Sequence, residues 1–256
     1  MSSGSHAAPV GFALRVVPHL DSTTAELLRA PLPDAPPGTA LLALSQSEGR
    51  GRSDRVWVSG EGGLYLSIHL KVAEPQGLSL LGAMALIGLL ESAGLSGRLR
   101  WPNDVMVAGR KLGGVLPVVR YQGNVLERAI LGVGCNVHQP VETFPSGLRG
   151  QITTLAQLDP TRCWQVLEVA EGYLRILHSE WSALEREGLP WLCRRAELYL
   201  EGSGDGRTPV LTEPGRPPLP LPSVVGLTSQ GALRLEDGMV LDHLGREQRL
   251  RFLDEL

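Results

Sequence analysis

"GRLRWPNDVMVAGRKLGGVLPVVRYQGNVLERAILGVGCNV", residues 97–137, alternates short β-rich runs with "PND" (102–104), "AGR" (108–110) and "QGN" (122–124). Proline, glycine, asparagine and aspartate adopt the backbone angles that turns need. Closely spaced turns between apolar runs are the pattern of consecutive hairpins, so antiparallel strands are expected here.

Towards the N-terminus, "GLSLLGAMALIGLL" (77–90) is apolar throughout. It is shorter than the ~20 residues of a membrane-spanning helix and reads as a buried helix. "GLYLSIHLKV" (63–72) places Leu64, Leu66, Ile68 and Leu70 opposite Tyr65, Ser67, His69 and Lys71. That period of two predicts a half-buried strand. "TALLALSQ" (39–46) and "GFALRVVPHL" (11–20) read as two more strands. "DSTTAELLRA" (21–30) opens a helix, with Asp21 or Ser22 as cap and Glu26 in the first turn.

Towards the C-terminus, "DPTRCWQVLEVAEGYLRILHSEWSALEREG" (159–188) predicts one long helix. Asp159 is its expected N-cap, with Pro160 at the first helical position. Trp164, Leu167, Ala170, Leu174, Leu177, Trp181 and Leu184 recur along one face. "LPWLCRRAELYL" (189–200) adds a second helix. Composition then shifts at "EGSGDGRTP" (201–209), and short strands and turns follow, enough for a small barrel. "PPLPLP" (217–222) reads as a stiff loop rather than a polyproline ligand. The expected organisation is a flexible tail over 1–10, a main domain over 11–203 and a small domain over 204–256.

With 43% hydrophobic and 20% charged residues, the 256-residue chain is composed like a globular protein, not a disordered one. A formal net charge of −3 gives no global attraction to nucleic acid or anionic membranes. Cys135, Cys163 and Cys193 show neither zinc nor redox spacing, which points to free thiols in a reducing, cytoplasmic setting. "MSSGSHAAP" lacks the basic start and apolar core of a secretion signal.

One local feature breaks this neutrality. "EGRGRSDRVW" (48–57) puts Arg50, Arg52 and Arg55 into a glycine-containing loop. Guanidinium groups so close repel one another, and an anion would relieve them. No Gly-Lys-Ser/Thr follows, so this is not a Walker loop, and "GVGCNV" (132–137) has Val137 where a dinucleotide fingerprint needs glycine.

"WPND" (101–104) and "RKLGG" (110–114), taken with "DSTT", "SQSEGRGR" and "LGVGCN", occur in an order and spacing that resembles biotin protein ligases. The resemblance runs from about Val16 to the C-terminus, where "GLTSQGALRLEDG" (226–238) looks like that family's small final domain. It implies an α/β (α+β) catalytic domain with a mixed, largely antiparallel sheet of the biotin/lipoate ligase type, then an SH3-like β-barrel. It also implies a two-step reaction: biotin and ATP give biotinyl-5′-AMP and pyrophosphate, and the biotinyl group passes to a lysine of a carboxylase carrier domain.

Matched to the family's motifs, Arg50, Gly51 and Arg52 line the biotin carboxylate and phosphate, and Lys111 is the catalytic cation. Gly113 and Gly114 let the backbone approach the ligand. Ser22, Thr23, Thr24 and Gln46 match positions that contact biotin. Asn103 and Asn136 match positions near the nucleotide, and Trp57 either stacks on adenine or packs in the core. Asp104 is a candidate for holding Mg²⁺, for taking the acceptor lysine's proton, or for capping a turn. Mg²⁺ follows from ATP chemistry, although no carboxylate cluster announces it. The chain departs from the family at Thr24, where asparagine is common, and at Ser53 and Asp54 within the usual "GRGRRGR".

A mixed anhydride hydrolyses if water reaches it, so the arginine loop is expected to be mobile without ligand and ordered around the adenylate. A lipoate-type ligase is the nearest rival reading; the arginine loop and "RKLGG" favour biotin. A biotin-responsive regulator is disfavoured, because the motifs begin about twenty residues in and leave no room for a helix-turn-helix, and no basic patch replaces one. Exposed sheet edges allow partner docking or a homodimer.

Overall fold

The computed structural model describes residues 5–6, 11–245 and 248–255. In chain order the elements are β1 (Ser5–His6), β2 (Ala13–Val17), α1 (Thr23–Arg29), β3 (Thr39–Ala43), β4 (Gly63–Leu70), α2 (Leu78–Ser92), β5 (Arg98–Arg100), β6 (Asp104–Val107), β7 (Arg110–Gln122) and β8 (Val125–Asn136). They continue with the short α3 (Ser146–Arg149) and α4 (Leu155–Leu158), then α5 (Val166–Glu187) and α6 (Leu189–Glu197). The C-terminal part holds β9 (Pro209–Thr212), β10 (Leu219–Pro220), β11 (Val224–Leu227), β12 (Leu233–Leu235), β13 (Val240–Leu241) and β14 (Arg249–Phe252).

The first eight strands form one sheet in the order β1-β2-β3-β4-β8-β7-β6-β5. Only β2 and β3 run parallel; the other neighbours are antiparallel. The expected turns at "PND", "AGR" and "QGN" join β5 to β6, β6 to β7 and β7 to β8. The tail expected over 1–10 lies outside the described residues, apart from Ser5–His6, whose backbone pairs with Arg15 and Leu14.

Helix α2 is buried along nearly its whole length. It lies between the sheet and α5, which explains why it is apolar on every side. Helix α5 turns Val169, Ala170, Tyr173, Leu174 and Leu177 inward, on the face expected from the sequence. It starts later than expected. Gln165 is the N-cap, and the Asp159 carboxylate accepts instead from the Thr161 amide and hydroxyl. Asp159 therefore closes a local turn, and Trp164 packs ahead of the helix with its Nε1–H on the Asp159 carbonyl at 3.1 Å.

Strand β4 also differs from the half-buried expectation, because all eight of its residues are buried. The polar face lies under α1 and its flanking loops, and each polar group finds a partner. Tyr65 Oη donates to the Gly60 carbonyl at 2.6 Å, His69 Nδ1 lies 2.8 Å from the Ala35 carbonyl, and Ser67 meets Thr23 and Thr24. Alternation marked the two faces correctly, but not what covers the second one.

The C-terminal strands form two three-stranded antiparallel sheets, β10-β9-β14 and β11-β12-β13, consistent with an SH3-like unit. Within "PPLPLP", Leu219–Pro220 become the short edge strand β10.

Candidate active site

Thirteen of the fourteen candidates named above line one cleft of about 790 Å³: Ser22, Thr23, Thr24, Gln46, Arg50, Gly51, Arg52, Trp57, Asn103, Asp104, Lys111, Gly114 and Asn136. That volume suits a molecule of nucleotide-conjugate size. The cleft lies over β4, β8 and β7. It is flanked by the N-terminus of α1, the arginine loop, the β5–β6 hairpin and β14.

Its charged centre is built by the hairpins. Strands β6 and β7 pair Asp104 with Gly114 and Met106 with Lys111, across a bulge. Lys111 Nζ thereby reaches Asp104 Oδ1 at 2.7 Å. A Cβ on Gly114 would lie 3.1 Å from that Asp104 oxygen and 3.5 Å from Lys111 Nζ, so glycine leaves the pair its space. Gly113 has another reason. It is absent from the cleft lining, and a Cβ there would meet Leu86 Cδ2 at 2.6 Å and the Gly134 carbonyl at 2.8 Å. The expectation that Gly113 admits a ligand is therefore corrected: it lets β7 pack closely against α2 and β8.

The arginine loop is more structured than its composition suggests. Arg50 bridges to Val56, the Gly51 amide donates to the Arg55 carbonyl at 2.7 Å, and Arg52–Asp54 form one 3-10 turn. Arg50 is mostly exposed, with Glu48 3.8 Å away. Arg52 points inward and donates to Asn103 Oδ1 at 3.2 Å. Burial pulls its pKa below the ordinary guanidinium value, and Asp104 partly offsets that.

The cation set is larger than the sequence reading allowed. Arg249 and Arg251 of β14 line the same cleft. Burial lowers the pKa of both; Arg55 adds to this at Arg249, and Arg249 adds to it at Arg251. Among the described residues, Arg52, Arg249 and Arg251 form no ion pair. Arg52 and Arg251 are half-buried and Arg249 is exposed; three cations facing one cleft without a direct ion pair suit an anionic ligand. The alternation in "RLRF" was the available signal, since it puts 249 and 251 on one face of a strand.

Trp57 packs across β8: a Cβ on Gly134 would come within 2.5 Å of its Cε2. Lys111 Nζ lies 5.3 Å from its ring centroid, and the buried Trp57 Nε1 has no hydrogen-bond partner among the described residues. Asn103 donates to the Val115 carbonyl at 2.7 Å. Asn136 donates to the Thr153 carbonyl at 3.0 Å, while its buried Oδ1 is unpartnered among the described residues.

At the other end, Ser22 caps α1. Thr23, Thr24, Gln46 and the unanticipated Ser67 and Ser59 form a hydrogen-bonded set. Gly132 on β8 keeps the space above it open, because a Cβ would sit 2.9 Å from Thr24 Oγ1. Among the described residues no cluster of three His, Cys, Asp or Glu could hold a metal ion. No described helix is long and apolar enough to cross a membrane.

A mixed sheet whose glycine-bearing strands floor a cation-rich cleft is an arrangement suited to an anionic ligand. The chain belongs to the biotin/lipoate A/B protein ligase family, whose model matches residues 16–136. It is 38% identical over 130 residues to the bifunctional ligase/repressor BirA of Bacillus subtilis, a match covering 48% of this chain and 40% of that protein. The match thus spans well under half of that relative's length. With the biotin–[acetyl-CoA-carboxylase] ligase of Paracoccus denitrificans it shares 30% identity over 237 residues, covering 80% of this chain and 96% of that one. The fold is similar to biotin protein ligase from Aquifex aeolicus in complex with biotin and ATP, with a TM-score of 0.78 and 27% identity over 93% of this chain and 98% of that one.

Proposed function

We propose that this chain is a biotin protein ligase. In the first step a biotin carboxylate oxygen attacks the α-phosphorus of ATP, and pyrophosphate leaves. In the second, the amine of an acceptor lysine attacks the acyl carbon of biotinyl-5′-AMP, losing a proton as AMP departs. The observation that carries this reading is the Lys111–Asp104 pair (2.7 Å) set among arginines in one cleft.

Two anions must meet in the first step, and fixed cations offset their repulsion and the charge on the transferring phosphoryl group. Arg50, Gly51 and Arg52 take the carboxylate and phosphate, with Lys111 at the junction. Ser22, Thr23, Thr24 and Gln46 hold the biotin head. Trp57, Asn103 and Asn136 flank the nucleotide, and closure of the arginine loop excludes water from the anhydride.

Asp104 holds Lys111 in place and is the carboxylate available to the acceptor lysine's proton. In the first step Asp104 would also be the residue to hold a Mg²⁺ brought with ATP, which keeps several waters and needs few protein ligands and would there neutralise phosphate charge. The acceptor is the biotin carboxyl carrier domain of acetyl-CoA carboxylase or a related carboxylase, met in the cytoplasm. We place the catalytic domain at 11–203 and the small domain at 204–256, and sheet edges leave a homodimer open to the chain.

Purified chain, biotin, ATP, Mg²⁺ and a carrier domain should give one biotinylated carrier lysine by mass spectrometry. Lys111→Ala should lower the rate about 10²- to 10³-fold, the scale of losing one charge-stabilising donor. Labelling with lipoate instead would transfer the assignment to the lipoate branch.

A further inference from the structure

Ser59 lies just beyond the arginine loop and is buried. Its hydroxyl donates to the Trp57 carbonyl at 2.8 Å, which uses its only proton. It must therefore accept at its second contact, 3.1 Å from Gln46 Nε2. Gln46 Oε1 in turn accepts from the Thr23 amide at 2.8 Å and from Thr23 Oγ1 at 3.1 Å. A backbone N–H can only donate, so both ends of the Gln46 amide have a determined orientation.

The direction then propagates through the hydroxyls. Thr23 gives its proton to Gln46, so Ser67, 2.8 Å away, must donate to Thr23. Ser67 has no second proton, so Thr24 must donate to Ser67 across 2.9 Å. Every proton runs from Thr24 towards the Trp57 carbonyl. What remains for a ligand is lone pairs on Thr24, Ser67 and Thr23, and one N–H on Gln46. Gly49 allows this crossing, because a Cβ there would meet Ser59 Oγ at 2.2 Å and the Trp57 carbonyl at 2.5 Å.

We propose that Ser59 is a positioning residue that sets the direction of this chain, so that the cleft wall offers several acceptors and a single amide donor. Such a wall matches a ligand head with N–H groups beside a carbonyl, as a cyclic urea has, and rejects a sulfur heterocycle without N–H. The ligand part rests on the biotin ligase reading; the direction of the chain does not. The chain also joins the vitamin end of the cleft to Trp57, at the exit of the arginine loop.

The test uses the full chain and two readouts. Amide exchange by NMR, without ligand, should show Thr23 exchanging about tenfold faster in Ser59→Ala, because Gln46 is then free to turn away. Calorimetric titration with biotin alone should show Ser59→Ala weakening binding about 5- to 20-fold, with ATP binding unchanged. In a Gln46→Ala background, Ser59→Ala should add less than about twofold. Should Ser59→Ala not fold, Ser59→Cys, similar in size and a weak acceptor, carries the same comparisons. Unchanged Thr23 exchange, or a full multiplicative effect in the Gln46→Ala background, overturns the proposal. Faster exchange in a chain that binds no biotin upholds the direction of the chain and removes the ligand assignment.

Discussion

Lys111 could be singled out from "RKLGG" only through the resemblance to biotin protein ligases, since a lone lysine in a hairpin is otherwise an ordinary turn residue. Its distance to Asp104 could not, because the bulge between β6 and β7 decides which side chains meet. Trp57 shows the same division. The sequence left it between adenine stacking and core packing, whereas the fold lays its ring across Gly134 with Lys111 beside it. Gly134→Ala should therefore displace Trp57. The expected result is a red-shifted tryptophan emission and a KM for ATP raised at least about tenfold, with biotin binding altered less than twofold. Unaltered emission and ATP KM would mean that Trp57 has no part in holding the nucleotide.

Among the elements, α1 matters most for the site, since Ser22, Thr23 and Thr24 form its first turn. Its far end is held by buried Arg128 of β8, which donates to the carbonyls of Leu27 and Ala30. A cation at the C-terminal end of a helix complements its dipole, and here it replaces water for the last carbonyls. His69 packs nearby on β4. Burial holds its pKa below the ordinary imidazole value, Arg128 adds to that, and the hydrogen bond to the Ala35 carbonyl only partly offsets it.

The sign follows from the depressed folded pKa. Below about pH 6.5 the unfolded chain binds a proton that folded His69 refuses, so stability falls as pH drops and levels off above pH 7. Urea midpoints should decline between pH 7.5 and pH 5.5. His69→Gln should flatten that slope; an equally steep decline in the variant would assign it to other groups. The sequence showed His69 on the polar face of a strand and nothing of its burial, because the covering loop comes from residues 30–38, far along the chain.

At the scale of the whole molecule, the C-terminal unit is tied to the hairpin that carries Asn103 and Asp104. Arg100 donates to Glu201 at 2.6 Å and to Glu255 at 2.5 Å, and Arg207 meets Glu255 at 2.6 Å while lying 4.0 Å from the Phe252 ring centroid. Trp101 Nε1 donates to the Gly231 carbonyl at 2.9 Å. Burial raises the pKa of Glu201, with Arg100 opposing it. The two parts therefore share one framework, and Arg249 and Arg251 are carried into the cleft by it. Arg207→Met keeps an apolar stem on Phe252 but removes the charge. It should cost about 3 kcal/mol of unfolding free energy and raise the KM for ATP while leaving biotin affinity within twofold. A variant with wild-type stability and ATP kinetics would show that the framework does not position the site.

Local patterns alone determined the hairpins between 97 and 137, the buried helix at 77–90, the inward face of α5 and the loop that gathers three arginines. These depend on turn chemistry and side-chain period, which neighbours in the chain specify. Only the tertiary structure decided that the polar face of β4 is covered, that Ser59 and Ser67 join Thr23 and Gln46, and that β14 brings two more arginines into the cleft. Those contacts join residues up to some two hundred positions apart, as Arg55 to Gln248 does. Their partners are chosen by how the sheet stacks and where the small unit docks, and no local period records that.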